Sequence, residues 1–200
     1  MSEARPRTPR GTRTRTRLRD AAREAFAERG YAGARVEDIV SRAGVSHGTF
    51  YTYFENKAAA LDALIDVTAG DLMRVLDEPW EGPDGAAAVE GVLDRFVTVF
   101  VDHADVIGTW LEASAHEAHF RARLREVRGG YVRRVAEALE PVLSASSHQP
   151  SIAAAALVAM VEGTATQGIV VRDPEERATV VRTLTSLWLG GLIRLAEDAG

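Results

Sequence analysis

Two short helical patterns, separated by residues 44–46, constrain this chain more than any other feature of its sequence. The first pattern ends at Gly44, where a left-handed residue would terminate a helix. Its apolar members, at helical spacing, are Val36, Ile39, Val40 and Ala43. Ser46 is a good N-cap for the second pattern, which carries Phe50 and Phe54. So tight a connection requires the two helices to share one small core, which is typical of a helix-turn-helix.

Longer helical patterns surround this pair. A first helix is predicted from Thr14, with Gly30 as its terminator. Its apolar face is Leu18, Ala21, Ala22, Ala25 and Phe26. A fourth helix is predicted from Lys57 to Leu76, before the Gly-Pro-Asp-Gly run at 82–85. Further helical patterns cover 86–102, 104–115, 117–144, 151–171 and 174–197, with a loop at 144–150. No segment alternates like a strand, so the sequence predicts an all-α fold of about nine helices.

The last two helices are predicted to pack against a second copy of the chain. Asp173 as N-cap, Pro174 at the first helical position and Glu176 completing a capping box mark the start of the last one. The preceding helix is almost entirely apolar and small, so it can be covered on nearly every side. The predicted dimer interface consists of Ala153, Leu157, Met160, Val181, Leu184, Trp188 and Leu192.

The net charge of −5 conceals a division along the chain. Residues 1–60 carry 11 Arg and one Lys against 7 acidic residues, a net of +5, whereas residues 61–200 carry a net of −10. The excess is concentrated in Arg5, Arg7, Arg10, Arg13, Arg15, Arg17 and Arg19. Residues 1–13 offer no apolar face and are predicted to form a disordered, Arg-rich arm. A cationic end on an acidic body favours a polyanionic partner, although a tail that only aids solubility would have the same composition.

Several classes of protein are excluded by what the sequence lacks. The chain contains no cysteine, which rules out disulfides, thiolate metal sites and a catalytic cysteine. Its Arg-rich start lacks the apolar run of a secretory signal. The longest apolar stretch, Ile152 to Val161, is half the length that spans a bilayer and is predicted to be a buried helix. We therefore expect a cytoplasmic protein with no membrane partner.

Four histidines could in principle serve an enzyme as bases: His103, His116, His119 and His148. Glu112, His116 and His119 stand at i, i+4 and i+7 and could ligate a metal from one helix face. No partner motif accompanies them, since the chain has no Gly-x-Ser-x-Gly, phosphate loop or His-Glu-x-x-His. We expect no enzymatic activity, no cofactor and no metal, and a pocket or surface role for these residues.

The second helix of a helix-turn-helix reads DNA from the major groove, about 12 Å wide, while the first crosses the phosphate backbone. If Phe50 and Phe54 face the core, the remaining surface is rich in hydrogen-bonding groups and poor in acids, as a groove-facing surface should be. That surface consists of Ser46, His47, Gly48, Thr49, Thr52 and part of Tyr51 and Tyr53.

The segment from about residue 14 to 65 resembles the N-terminal domain of the TetR family of transcriptional regulators. The resemblance is carried by Gly30 and Tyr31, by the run from Val36 to Val40, by the run from Arg42 to Phe54, and by Asn56 and Lys57. Its most specific part is Gly-Thr-Phe-Tyr-x-Tyr-Phe-x-Asn-Lys, which ends at Lys57. The rest of the chain resembles the family only in length and helical plan.

The resemblance implies a DNA-binding domain at residues 14–60 and an effector-binding and dimerisation domain at 61–200. It implies contacts to double-stranded DNA for Ser46, His47, Gly48, Thr49, Tyr51, Thr52, Tyr53 and Lys57. Lys57, the only lysine, would meet a phosphate, because it lies in the first turn of a helix, where backbone N–H groups favour an anion. The resemblance further implies a dimer that binds an inverted-repeat operator and is released by an effector as the fourth helix swings.

Two departures from the family pattern affect the second and fourth helices. Ala34 stands where the family usually has a capping Thr, and losing such a cap costs about 1 kcal/mol. Arg35 is predicted to take over the phosphate contact of that Thr. Ala58 and Ala60 replace the acid and leucine that usually follow the lysine, which leaves the packing of the fourth helix open.

A small, largely apolar effector is expected among the aromatic side chains and methionines in the middle of the chain, oriented by a few polar groups. The candidates are Met73, Phe96, Phe100, His103, Trp110, His116, Tyr131, Met160, Thr164 and Gln167. Each aromatic could equally be plain core. A helical interaction module that never touches DNA remains an alternative, but it leaves the acid-poor helix and the cationic end without a purpose.

Overall fold

The computed structural model describes residues 9–80, 84–143, 149–166 and 173–197, in which every regular element is a helix. The helices of these residues are α1 Pro9–Gly33, α2 Val36–Ala43, α3 His47–Tyr53, α4 Lys57–Asp77, α5 Gly85–Asp102, α6 Ala104–His116, α7 Ala118–Leu143, α8 Pro150–Thr166 and α9 Pro174–Glu197. The predicted all-α fold is confirmed. The predicted helix at 151–171 is seen to residue 166, and residues 167–172 lie outside the described part.

Helix α1 begins earlier than the sequence patterns indicated. Residues 9–13, predicted as part of a disordered arm, form its first turn, while residues 1–8 lie outside the described residues. Proline suits a first helical position because its missing N–H has no partner there and its φ is already helical. At the other end Gly30 has a φ of 67° and ψ of 173°, which kinks the helix at the predicted terminator. A single short turn follows the kink and runs to Gly33.

The tight connection between α2 and α3 forms as its residues dictate. Gly44 adopts the left-handed conformation, with φ of 60°, and its N–H is bonded to carbonyls of the last turn of α2. Ser46 caps α3 by accepting a hydrogen bond from the Thr49 N–H at 3.2 Å. At the start of α2 the N-cap is Arg35, whose backbone N–H donates to the Asp38 carboxylate at 2.9 Å. Ala34, buried one position earlier, is therefore not the residue that caps this helix.

The chain divides into two compact units, each described here by itself. Unit 1 comprises residues 1–69 and 104–121, so that it includes α6 together with α1, α2 and α3. Helix α1 packs against both α2 and α6. The core of unit 1 includes Leu18, Ala22 and Phe26 of α1, Ile39 of α2, Phe50 of α3, Leu61 and Ile65 of α4, and Ala113 of α6. This arrangement gives the helix-turn-helix a larger support than its own three helices.

Unit 2 comprises residues 70–103 and 122–200, and its helices α5 and α9 pack along each other. Four predicted dimer-interface residues, Val181, Leu184, Trp188 and Leu192, are buried within this single chain, as is Leu157 of α8. The stripe that was assigned to a second copy therefore faces the protomer's own core, and that prediction is wrong for these side chains. Ala153 and Met160 are partly exposed.

The predicted start of α9 is observed, because the Glu176 N–H donates to the Asp173 carboxylate at 3.2 Å. A search of the described residues for a helix with the length and apolar character needed to cross a membrane finds none.

Candidate nucleic-acid interface

The outward surface of α3 is polar and accessible. Ser46, His47, Gly48 and Thr52 are exposed, Tyr51 is 57% exposed, and Thr49 and Tyr53 are partly exposed. The Ser46 and Thr49 hydroxyls lie 3.0 Å apart, and the Thr52 hydroxyl donates to the Gly48 carbonyl at 2.9 Å. Apart from these local bonds the surface offers hydroxyls, an imidazole and a phenol, and none of its side chains is acidic.

The opposite face of α3 is anchored in the core of unit 1. Phe50 is fully buried, and Phe54 at the C-cap lies with its ring centroid 5.7 Å from that of Phe50. The Arg15 guanidinium lies over the Phe54 ring at 5.7 Å, within the range of a cation–π contact. Since Phe50 and Phe54 fix the rotation of the helix, the polar residues between them point outward as a set.

A row of arginines on α1 borders the same surface. Arg10, Arg13, Thr14 and Arg17 are spaced i, i+3, i+4 and i+7 along α1, and they line an open cleft of about 430 Å³ with Thr49 of α3. The other lining residues are Gly44 and Val45, from the turn before α3. All three arginines are exposed. Arg10 and Arg13 were predicted to belong to a disordered arm, although their helical spacing with Thr14 and Arg17 was the signal that would have placed them on α1.

One of these arginines also supports the helix-turn-helix. The Arg17 guanidinium donates to the carbonyl of Ala43, the last residue of α2, which has no partner further along its helix. A guanidinium carries five N–H donors, so this bond leaves donors on Arg17 for a second acceptor. Arg17 therefore joins α1 to the turn while still bordering the cleft.

Lys57 has a different environment from the one the resemblance implies. Its ammonium donates to the carbonyl oxygens of Tyr31 at 2.7 Å, Ala32 at 3.3 Å and Ala34 at 3.0 Å, and it lies 4.6 Å from the centre of the Tyr31 ring. An ammonium has three donors, and these carbonyls take all three. In this structure Lys57 binds the segment after the Gly30 kink, and a phosphate contact would require it to give up one of these bonds.

Glu112 of α6 binds the backbone N–H groups of the same segment. Its carboxylate accepts from the Tyr31 N–H at 2.9 Å and the Ala32 N–H at 3.0 Å. These backbone donors hold the pKa of the Glu112 carboxyl below its ordinary value. Gly30 has a φ of 67°, which favours glycine, and a side chain there would meet the Glu112 carboxylate at 2.7 Å and displace it from these N–H groups.

An ion pair also joins α1 to α6. Arg23 contacts the Asp105 carboxylate through two nitrogens, at 2.6 and 2.7 Å. Burial alone would raise the pKa of Asp105, but the hydrogen bonds from Arg23 and from backbone N–H groups hold it below its ordinary value. The kinked segment is thus held by Lys57 on its carbonyls and by Glu112 on its N–H groups, and Arg23 fixes the helix that carries Glu112.

The remaining polar residues near α3 lie on α2. Arg35, predicted to contact phosphate, is exposed at the N-cap of α2. The His47 ring lies 3.4 Å from the Glu37 carboxylate, a pair that is ionic only when His47 is protonated. Asp38 pairs with Arg29 at 3.3 Å.

The three residues whose spacing could have suited a metal, Glu112, His116 and His119, do not come together. While Glu112 binds backbone N–H groups, the His119 ring bonds to the Asp62 carboxylate at 2.8 Å, and His116 is exposed in the last turn of α6. No group of three metal-ligating side chains is found in the described part of the chain.

The predicted effector residues are distributed over both units. Trp110 lies in the core of unit 1, where its indole N–H donates to the Phe120 carbonyl at 3.2 Å, so its assignment to an effector pocket is wrong. His116 belongs to the same unit and is exposed in the last turn of α6. Gln167 lies outside the described residues.

In unit 2 the structure brings two of the candidates, Phe96 and Tyr131, to one internal cavity. Phe100 is buried beside Phe96, and His103 is hydrogen-bonded to Asp71 at 3.0 Å. Met73 packs against Gly130, and the Thr164 hydroxyl bonds to the Met160 carbonyl at 2.8 Å. The cavity lining does not include the other five candidates of unit 2, namely Met73, Phe100, His103, Met160 and Thr164.

Comparison with known proteins finds family matches to two segments of the chain. The sequence profile described as "Bacterial regulatory proteins, tetR family" matches residues 18–64, and that of "BetI-type transcriptional repressor, C-terminal" matches residues 84–190. The fatty acid metabolism regulator protein of Bacillus subtilis (strain 168) is 32% identical over 117 residues, which span 56% of this chain and 59% of that protein. The transcriptional repressor DhaR of Mycobacterium sp. (strain GP1) is 36% identical over 70 residues, 35% of each protein. Both matches cover less than two thirds of the curated relative.

Solved structures are similar over nearly the whole chain. A transcriptional regulator of the TerR/AcrR family from Aquifex aeolicus has a TM-score of 0.70 and 27% identity, covering 87% of this chain and 98% of that one. The fatty acid degradation regulator FadR of Bacillus halodurans has a TM-score of 0.76, with coverage of 94% and 98%. At 22% identity the second likeness concerns the fold alone.

Proposed function

Since the chain belongs to the TetR family of bacterial transcriptional regulators, we propose that it is a ligand-responsive repressor that binds an inverted-repeat operator as a dimer. The observation that carries the proposal is the accessible polar face of α3 beside the exposed arginines of α1. Hydroxyls and an imidazole on α3 suit the edges of bases in a major groove, and arginines suit the flanking phosphates.

The DNA contacts separate into two kinds. His47, Thr49 and Thr52 are proposed to read bases, with Tyr51 and Tyr53 at phosphates. Arg10, Arg13 and Arg35 are proposed to contact phosphates as well, because they are exposed guanidiniums around the same surface. Lys57 is proposed to act indirectly, by fixing the segment between α1 and α2. Contacts of the first kind determine sequence preference, whereas those of the second determine affinity and its dependence on salt.

A dimer is proposed to form through the outward faces of α8 and α9. On α9 the side chain of Leu187 is 56% exposed. On α8 the exposed residues Ile152, Ala156 and Ala159 follow one another at i, i+4 and i+7. Exposed apolar side chains of this kind are costly to leave in water and are suited to packing against a second copy. The two α3 helices of such a dimer would face successive major grooves.

Effector binding in unit 2 is proposed to favour a conformation of the dimer that does not match the operator. The change in DNA affinity cannot exceed the effector's own preference between the two conformations. Support for repression comes from the similarity of residues 84–190 to BetI-type repressors. The solved structure of the transcriptional regulator FadR from Bacillus subtilis, which has a similar fold, contains stearoyl-CoA, so that protein binds a small molecule.

The test is a titration of the full chain against labelled random duplex DNA, followed by fluorescence anisotropy over a series of salt concentrations. The logarithm of the affinity is expected to fall linearly with the logarithm of the salt concentration. Arg13→Ala should weaken binding to all sequences alike, whereas Thr49→Val should change the preference among selected sites. Arg125→Ala, at an exposed arginine of α7, is the matched control. Salt-independent binding, or equal effects of Arg13→Ala and Arg125→Ala, would refute the proposed interface.

A further inference from the structure

Unit 2 contains an internal cavity between five helices. Its volume is about 20 Å³, enough for one water molecule. The lining consists of Leu76 of α4, Val92, Leu93 and Phe96 of α5, Tyr131 and Val135 of α7, Val158 and Val161 of α8, and Trp188 of α9. Every lining side chain except those of Tyr131 and Trp188 is a hydrocarbon.

Two of the lining residues, Tyr131 and Trp188, each carry a polar group that is buried without a partner in the described part of the chain. Tyr131 is 6% exposed and Trp188 is 3% exposed. Neither the Tyr131 hydroxyl nor the Trp188 Nε1–H has a hydrogen-bond partner in the described part of the chain. Leaving such a group unsatisfied costs about 1–3 kcal/mol, so the two together are an unusual feature of one small cavity. An indole N–H can only donate, and a phenol donates most strongly, so both groups lack an acceptor.

An open apolar groove begins one helical turn away from the cavity. Its volume is about 550 Å³. On three helices its lining residues precede or follow those of the cavity by three or four positions: Val89 before Val92 on α5, Leu139 after Val135 on α7, and Leu192 after Trp188 on α9. The rest of the groove is lined by Trp80, Gly85, Ala88, Ala138, Val142, Leu189, Ile193 and Ala196. Groove and cavity are therefore neighbouring apolar sections of unit 2.

No charged residue lines either section. Two charged groups act on Tyr131 from outside the lining, namely Glu162 and, with opposite sign, Arg123. Burial, reinforced by Glu162, raises the pKa of Tyr131, so its hydroxyl remains a donor at neutral pH. Glu162 itself pairs with Arg128 at 3.0 Å. An anionic ligand would find two neutral donors in these sections and no cation, which does not offset the cost of burying its charge.

We propose that the ligand of unit 2 is an uncharged, largely apolar molecule with one acceptor oxygen, such as a ketone, ester or lactone. Its oxygen accepts from the Tyr131 hydroxyl and the Trp188 Nε1–H, and its hydrocarbon part extends along the groove. The lining side chains move apart to admit it, because the cavity of this structure holds only about one water. This assignment rests on the proposed function, whose effector site it specifies.

The test compares ligands that differ in charge. Methyl octanoate, methyl heptyl ketone and a decanolide lactone are titrated into the full chain by calorimetry, beside octanoate and octanoyl-CoA. At least one uncharged probe is expected to bind at least tenfold more tightly than octanoate and octanoyl-CoA. Failure of all three uncharged probes, or tighter binding of either anion, overturns the proposal. DNA binding is measured on the same samples, so a protein that binds DNA but none of these probes refutes this inference and leaves the proposed regulator intact.

Substitution separates a ligand site from a cavity that merely holds water. Tyr131→Phe and Trp188→Phe each remove one donor, and each should weaken the best uncharged probe about tenfold, the effect of one hydrogen bond. Ser151→Ala, which removes an exposed hydroxyl of α8 that lines neither the cavity nor the groove, is the control and should leave the ligand affinity unchanged. Tyr131→Phe should not lower the melting temperature without ligand, because it removes an unsatisfied group. Unchanged ligand affinity in both donor variants, or a strongly destabilised Tyr131→Phe, overturns the assignment.

Discussion

Replacing Lys57 distinguishes a phosphate contact from a structural role. Lys57→Met keeps most of the aliphatic chain and removes the ammonium that binds three carbonyls and the face of Tyr31. Hydrogen bonds from charged donors contribute about 1.5–3 kcal/mol each, but here they share one ammonium and water can reach part of the site. We therefore expect unit 1 to lose about 2–3 kcal/mol in total.

The salt dependence of DNA binding gives the second half of this test. A phosphate contact contributes about 0.9 to the slope of log affinity against log salt, so losing one per protomer would lower the slope of a dimer by about 1.8. If Lys57 only fixes the segment after Gly30, the slope of Lys57→Met stays at the wild-type value while urea denaturation shows the lost stability. Arg13→Ala is the control, with the slope lowered and the stability kept. A Lys57→Met variant of full stability and lower slope would refute the structural role.

Three further predictions concern other parts of the account. Ser46→Ala removes the cap that accepts from Thr49 and should cost about 1 kcal/mol in urea denaturation, and an unchanged stability would refute the capping role. The pKa of Glu112 in the folded protein lies below the ordinary 4.5, so Glu112 contributes stability that is present above that pH and is lost as the pH falls through the folded value. Glu112→Gln should therefore weaken the loss of stability at acid pH, and an unchanged dependence of stability on pH would contradict the contact. Leu187→Arg should dissociate the dimer in analytical ultracentrifugation, whereas Leu111→Arg, at an exposed apolar residue of α6, should not; equal effects would argue against the α8–α9 face.

Local sequence signals were sufficient for the helix-turn-helix. Gly44 and Ser46 determine where α2 ends and α3 begins through backbone conformation and a short-range hydrogen bond, and both could be identified without tertiary information. The same holds for Asp173 at the start of α9. The start of α1 was missed because residues 9–13 are polar in composition and have no apolar face of their own. The packing of α1 on α2 and α6 supports the helix that these residues begin.

Long-range arrangements were not available from periodicity. The stripe of Val181, Leu184 and Trp188 has the same spacing whether it packs on the protomer's own α5 or on a second copy, and the structure assigns it to the former. Trp110 is a core residue of unit 1 because α6 packs on α1, which no local pattern indicates. The partners of Lys57 were hidden for a similar reason, since its carbonyl acceptors lie more than twenty residues earlier in the chain.

The most direct test of the account is a selection of bound duplexes from random DNA by the full chain, followed by footprinting of the enriched site. We predict an inverted repeat whose half-sites are centred about 34–36 Å apart, or a multiple of that distance, with protection in successive major grooves and affinity that falls steeply with salt. Recovery of no enriched duplex, or of a single unpaired half-site bound equally well at all salt concentrations, would contradict a dimer that presents two α3 helices to DNA.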